Sequence, residues 1–425
     1  AELGRSVRSA ANIRTRQPLA RARVVLGVSG NDEAELREIL ADELNVKSVE
    51  AVGDASGLFE RRVKVLLPKV GKRLGGSTQA VMQAARDGAV EFLADGAVRL
   101  QIESFSVTAN NVTYAVMGDM FQYWNFFPAP EGWGIVPMWG HATVEASNCP
   151  DFAVGERVYG YLPMGTHLDV KPVGISAGGF TDGAAHRQPM SMFYNQYSRL
   201  AADPEHDPAN EDARMIYGPL FKTGFLIEDF YRRNDWFGAD ALILSSASSK
   251  TALALAHCAK LASPNVRRIG LTSSGNVAFV KASGLYDEVV AYEDVAALAP
   301  GAAVFVDFAG NAKLVHAVHT ALGDHLKYSS TVGATHVGAQ GSGGAPLPGP
   351  QPVLFFAPTE ALETIKALSP AGFAKAVGDA WASFVASAKG FMKVEHRDGL
   401  AAATEVFQAT LVGQQNPETG VVVRP

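Results

Sequence analysis

The chain has 425 residues, 47% hydrophobic and 19% charged, enough for two or three packed units with large cores; this excludes both a disordered chain and a single disulfide-stapled module. A net charge of −6 gives no chain-wide reason to bind nucleic acid or an anionic membrane. The two cysteines, Cys149 and Cys258, match neither a metal-ligand spacing nor a disulfide framework. No apolar run of about 18 residues and no signal-peptide core stand out, so the expectation is a cytoplasmic protein with no membrane partner. Glycine, at 42 residues, is about one in ten, which suits the tight turns of open α/β sheets.

Residues 1–78 carry 14 Lys and Arg against 10 Asp and Glu, net +4, which leaves −10 for the remainder. Six arginines lie within the first 23 residues, but Gln17-Pro18 interrupts the amphipathic helix that a targeting segment would need. Arg23 to Val28 reads as a strand, Glu33 to Leu44 as an amphipathic helix and Val46 to Val52 as a strand: a small α+β segment. In "LGRSVRSAANIRTRQPLARARVV", "ILADELNVKSVE" and "KVLLPKVGKRLGG" this segment resembles the C-terminal tail of bacterial isoleucyl-tRNA synthetases, behind the anticodon-binding helices. The HIGH-like and KMSKS-like motifs of that class have no counterpart here, so the resemblance brings no aminoacylation. It makes Arg14, Arg16, Arg21 and Arg23 candidate contacts to tRNA phosphates, beside the plainer reading of a solvated basic face.

A short helix, Gln79 to Ala85, and the turns Asp87-Gly88 and Asp95-Gly96 mark a junction. From Val98 to about Pro172, β-type alternation with Gly and Pro turns predicts a small barrel or sandwich, followed by helical text from about Tyr194. After Gly238 apolar strands alternate with helices: "ALILSSA", "SKTALALAHCAKLA", "RRIGLTSS", "NVAFVKASG", "EVVAY", "AAVFVDFAG". That rhythm predicts βαβ units and a doubly wound parallel sheet buried on both faces. Residues 338–350 form the one low-complexity stretch and are expected to be a surface loop.

A strand running through small residues into a helix sets backbone N–H groups and a positive helix end at one point, a place for a pyrophosphate. Here it comprises Ser246, Ala247, Ser248, Ser249, Lys250 and Thr251. Serine and alanine stand where the G-x-G-x-x-G fingerprint has glycine, and Ser246 or Ser248 merely capping the helix is the competing reading. The Lys-Thr pair imitates a P-loop, but both glycines of that motif are missing. The next strand ends in Thr272, Ser273, Ser274 and Asn276 without the carboxylate that would bind a ribose 2′-OH about 20 residues on. This favours NADPH over NADH, with Lys281 or Arg268 as further donors to a 2′-phosphate.

From Val98 onward the sequence resembles the medium-chain dehydrogenase/reductase superfamily, and most closely an uncharacterised branch known as a domain of unknown function. The residues that carry this are "VPMWGHATVEASNCPDFAVGERVYGY", "VDFAGNAKLVHAVHTALGDHLKYSSTVG" and "VEHRDGLAAATEVFQATLVGQQNPETGVVVR"; closer to the branch are "TANNVTYAVMGD", "YWNFFPAPEGWG", "LSSASSKTA", "LTSSGNVAF" and "VGATH". The resemblance implies an α/β fold: a GroES-like β-rich catalytic domain with a Rossmann sheet inserted in it. The expected divisions are 1–85 (synthetase-like), 86–215 (catalytic), 216–358 (Rossmann) and 359–425 (return to the catalytic domain). It further implies hydride transfer from NADPH to a small apolar substrate in the cleft between the domains, and a homodimer. Zinc-dependent members have an early cysteine ligand and Gly-His-Glu. This chain has no cysteine before Cys149 and reads Gly140-His141-Ala142, so zinc is not expected and a side chain must supply the proton.

The candidate acid is Tyr114, with Asn110 and Asn111 orienting cofactor or substrate and Tyr123, Trp124 and Phe126 as an apolar wall. Core packing is the alternative for all the aromatics. After the late Rossmann strand, Gly333 and Thr335 are candidate cofactor contacts and His336 a second candidate acid.

Overall fold

A computed structural model describes residues 17–25, 31–52, 75–86, 93–332 and 347–425, in two compact units, Ala1–Phe92 and Leu93–Pro425. In the first unit, strand β1 (Ala22–Val25) pairs in parallel with β2 (Val49–Val52), and helix α1 (Asn31–Leu44) makes the crossover that parallel strands require. Leu19 extends the pairing by a bridge to Val46. Helix α2 (Thr78–Arg86) follows. Arg14 and Arg16 lie outside the described residues; Arg21 is paired with Glu50 at 3.2 Å and both are solvent-exposed.

The second unit begins with β3 (Val98–Val107), helix α3 (Ala109–Val116), β4 (Pro137–Ser147), β5 (Arg157–Pro163), β6 (His167–Val170), β7 (Pro172–Val173), β8 (Gly179–Asp182) and β9 (Gln196–Arg199). The β-rich text therefore continues to Arg199. The helix expected from Tyr194 starts at Glu211, because Met192–Tyr194 make only a single tight turn before β9. Helix α4 (Glu211–Arg233) leads into β10 (Ala241–Leu244), α5 (Lys250–Ala262), β11 (Arg267–Thr272), α6 (Val277–Ala282), β12 (Glu288–Ala291), β13 (Ala303–Asp307), α7 (Ala312–Leu322), β14 (Leu326–Thr331) and β15 (Val353–Leu354). These strands form one all-parallel sheet in the order β12-β11-β10-β13-β14-β15. Every residue of the central strands β10 and β13 is buried, as a sheet covered on both faces demands.

The chain then returns through α8 (Ala357–Ala388), β16 (Lys393–Asp398), α9 (Leu400–Leu411) and β17 (Thr419–Arg424). Strand β17 pairs antiparallel with β3, so the last strand joins the first in a nine-stranded sheet and the parallel sheet is inserted between them, as expected from the sequence. Helix α8 is broken at Ser369-Pro370, where Ser369 takes φ +66° and its Oγ accepts from the Gly372 N–H at 3.2 Å. A serine cap followed by proline at the first position starts a fresh helix there. Where α4 crosses α5, Gly224 allows the contact: a Cβ there would come within 2.7 Å of the Leu255 nitrogen.

No helix among the described residues is long and apolar enough to cross a membrane. Both cysteines are free and buried. Of the low-complexity stretch, residues 338–346 lie outside the described residues.

Candidate active site

In an open parallel sheet, ligands bind beyond the carboxyl ends of the strands, where the strand order reverses. Here the reversal falls between β10 and β13, and both strand ends are locked together. Ser245, fully buried, donates from Oγ to Asp307 Oδ1 at 2.6 Å and accepts the Phe308 N–H at 2.8 Å. Ser246 then takes φ +46°, the left-handed region usually left to glycine, and its N–H donates to Tyr292 Oη at 3.1 Å. Ala247 is buried against Gly270, where a Cβ would meet its own at 2.9 Å; this small-on-small contact lets the turn descend onto β11. Ser248 accepts from Asn276 Nδ2 at 3.2 Å, and Ser249 caps α5 by accepting the Ala252 N–H at 3.3 Å. The glycine-like turn is thus made from serines, and the cap is Ser249 rather than Ser246 or Ser248 as the competing reading had it.

Lys250 opens α5 and lines the cleft, yet its Nζ donates to the carbonyls of Thr419 (3.0 Å) and Pro417 (3.4 Å) at the lead-in to β17. Burial pushes this amine down to about 8. From β11 and the loop after it, Thr272, Ser273 and Asn276 line the cleft, and none is acidic. Ser274 is exposed and does not line it. Arg268 is corrected as a phosphate donor: it sits at the amino end of β11, held by Asp287 (2.7 Å) and the Leu285 carbonyl (3.0 Å). Lys281 is likewise exposed and outside the lining.

The opposite wall comes from the β-rich part. Asn111 is the third residue of α3; its Oδ1 accepts the Thr108 N–H at 2.7 Å and its Nδ2 donates to the Pro137 carbonyl at 2.8 Å. Buried, with its amide used on both sides, it fixes the start of α3 and does not line the main cleft, whereas Asn110, Thr113 and Tyr114 do. The Tyr114 hydroxyl accepts from Trp139 Nε1 at 3.1 Å. Burial, and then nearby Tyr194, push this phenol far above its ordinary range, against the opposing hydrogen bond from Trp139. Tyr123 lines the cleft with its hydroxyl 3.3 Å from that of Tyr194.

Trp124 and Phe126 are corrected. The Trp124 indole fills the space between Gly118 and Gly134, and Phe126 is a core residue under the Arg187 guanidinium, 5.4 Å from its ring centre. Gly333, Thr335 and His336 lie outside the described residues. The cleft holds 1820 Å³. Its sides meet where Phe121 of the β-rich part stacks on Phe356 at the head of α8, ring centres 5.6 Å apart.

Sequence reasoning missed Trp139, Tyr159, Tyr194 and Tyr292, all lining this cleft. Alternation along "PMWGHATV" puts Trp139 and His141 on one face, and "EVVAY" ends in Tyr292 at a carboxyl strand end, so both carried a usable signal. Tyr194 carried none. Among the described residues no three His, Cys, Asp or Glu side chains gather as metal ligands.

In the second unit, Leu93–Pro425, the fold and cleft are those of a parallel sheet inserted into a β-rich part. The chain belongs to the family described as "Protein of unknown function (DUF2855)", whose profile matches residues 105–416. Solved structures similar to it include CurA from Vibrio vulnificus in complex with NADPH, at 15% identity over 79% of this chain and 91% of that one, TM-score 0.49. The yhdH oxidoreductase from Salmonella enterica in complex with NADP shares 15% identity over 78% and 92%, TM-score 0.44. A mutant enoyl thioester reductase from Candida tropicalis shares 12% over 79% and 92%, TM-score 0.46. Among curated proteins, the isoleucine–tRNA ligase of Streptomyces avermitilis is 35% identical over 112 residues, 25% of this chain and 11% of that protein; the Rickettsia akari enzyme is 28% identical over 117 residues. The chain thus spans about a tenth of the length of those relatives.

Proposed function

We propose that residues 93–425 form a zinc-independent, NADPH-dependent reductase acting on an activated C=C bond or carbonyl of a small apolar substrate. The observation that carries this reading is the cleft itself: one wall bears a pyrophosphate-type turn at the switch point of a parallel sheet, the other a buried tyrosine held by a tryptophan.

The residues fit a dinucleotide. The left-handed Ser246, the Ser248 hydroxyl and the α5 amino end would hold the pyrophosphate; Thr272, Ser273 and Asn276 would take the 2′-phosphate. The nicotinamide supplies the hydride when bound. Tyr114 supplies the proton: the phenol is protonated at neutral pH, and the Trp139 N–H, which opposes the upward push of burial, steadies the oxygen as the proton leaves. Asn110, Tyr123 and Tyr194 shape the apolar end of the site and exclude water. The working division is a catalytic domain at 86–215 and 359–425 around a Rossmann domain at 216–358, in a cytoplasmic homodimer.

Titration with NADPH, read by nicotinamide fluorescence, tests the reading. Saturation below millimolar cofactor and oxidation of NADPH with an enone or aldehyde are expected; no binding at millimolar NADPH would overturn it. Binding without turnover across an aldehyde, ketone and enone panel would favour a nicotinamide sensor or scaffold instead. A second reading, tRNA contact through residues 1–78, rests on their net charge of +4. It expects salt-sensitive tRNA binding that disappears when those residues are deleted.

A further inference from the structure

Along the cleft wall leading away from Tyr114, three cleft-lining side chains lie in succession. Trp139, which donates to Tyr114, stacks on Tyr159 with ring centres 5.8 Å apart and planes 23° from parallel. On the Tyr159 ring lies the guanidinium of Arg214, its central carbon 4.1 Å from the ring centre. Arg214 is 7% exposed, and its side chain is half committed: Nη2 donates to Asp203 at 2.6 Å, with Glu205 at 3.8 Å. Its Nη1, buried, bonds to nothing. A charged donor buried without a partner is costly, and stacking on an aromatic face fixes its plane without satisfying its N–H groups.

We propose that Arg214 Nη1 is a second anchoring point for the substrate, accepting ligands that carry a neutral carbonyl-type oxygen at the far end of a flat apolar body. This rests on the reductase reading in placing the reacting end at Tyr114. The flat body follows from the Trp139–Tyr159 pair, whose rings lie 23° from parallel; the Arg214 guanidinium already covers a face of Tyr159, so the body would lie against Trp139 beside it. The neutral oxygen follows from charge. Asp203 already balances Arg214, and Glu205 is balanced by Lys222 at 2.8 Å, so a carboxylate would arrive at a neutral patch flanked by two carboxylates, whereas a ketone, ester or amide oxygen meets only the free N–H.

Isothermal titration of the full chain with three probes decides it: benzylideneacetone, its para-acetyl analogue and its para-carboxylate analogue. The para-acetyl compound is expected to bind about tenfold more tightly than the parent, as for one hydrogen bond from a charged donor, and the carboxylate no better than the parent. In R214K, which keeps the charge beside Asp203 but not the fork, that ratio is expected to collapse towards one; a melting curve matched to wild type shows that the fold is kept. Equal binding of parent and acetyl compound by the wild type, tighter binding of the carboxylate, or an unchanged ratio in R214K overturns the proposal. These ratios are read without turnover. Failure of the reductase reading shows separately, as absent NADPH oxidation with all three probes.

Discussion

Acid sensitivity should be set in large part by one histidine that takes no part in the proposed chemistry. His141 is fully buried in β4, neither ring nitrogen has a partner, and its ring lies 5.1 Å from that of Tyr159. Burial pushes it from the ordinary 6.5 down to about 4; Glu211 pulls the other way, while Arg214 and Arg157 add to the depression. With the folded value below the unfolded one, the fold favours the neutral ring. The stability this contributes is therefore fully present above pH 6.5 and is lost as pH falls towards 4. At about 1.4 kcal/mol per tenfold change in protonation, the loss approaches 3 kcal/mol, a large share of a typical domain's stability. Glu211, held down at about 2 chiefly by its hydrogen bonds from Arg157, weakens the fold only below about pH 4.5; between 6.5 and 4.5 buried Glu228, raised by desolvation, works against the histidines, so the comparison with a His141 variant rather than the wild-type slope isolates His141.

Urea unfolding at pH 7.5, 6.5, 5.5 and 4.5 measures this, and tryptophan fluorescence is a clean probe because all five tryptophans lie in residues 93–425. His141→Leu keeps the volume roughly constant and removes two unpaired nitrogens. It should be at least as stable as wild type at pH 7.5 and should lose about 1.4 kcal/mol less per pH unit below pH 6. His257, also pushed to about 4 by burial, leaves a residual slope in the variant. Identical slopes for wild type and His141→Leu would refute the reasoning.

Arg187→Leu should destabilise the protein by about 3–5 kcal/mol in thermal or urea unfolding, because it strands Asp182, 2.9 Å away and equally buried, and removes bonds to Asn195, the Tyr197 hydroxyl and the Tyr194 carbonyl. Gly224→Ala should cost about 1–3 kcal/mol by the same measurement, since the added methyl meets the α5 backbone. Ser246→Val should cost about 1–2 kcal/mol and weaken NADPH binding in a fluorescence titration, whereas Ser246→Gly should keep both, because only the latter is at ease at φ +46°. Tyr114→Phe should lower kcat about 100-fold or more while NADPH affinity is kept; equal loss of affinity would make Tyr114 a packing residue.

The fold was legible because its signals are local. "ALIL" and the "AVFV" of β13 are short and wholly apolar, and their alternation with helical text is the pattern of a parallel sheet covered on both faces. The inserted arrangement was legible through the resemblance of the closing "VEHRDGLAAATEVFQATLVGQQNPETGVVVR"; its last strand, β17, pairs in parallel with nearby β16 and antiparallel with the distant β3. The strand-to-helix turn at Ser245–Thr251 was found by position, after a strand and before a helix, even though its residues are serines. What sequence could not supply is which side of each element faces the cleft. Trp124 and Phe126 sit within three residues of Tyr123, yet a left-handed residue at Gln122 and the tight turn Tyr123–Asn125 send Tyr123 to the cleft, Trp124 between two glycines and Phe126 into the core. Arg268 failed for a related reason: a strand has two ends, and an arginine at the amino end of β11 is a strand's length from the carboxyl end where ligands gather. Arg214 and Tyr159 are 55 positions apart in sequence, and their contact exists only because α4 packs against the β-rich sheet. Long-range packing of this kind makes the second anchoring point invisible to any reading of spacing, whereas the strand-to-helix turn remains readable from seven residues.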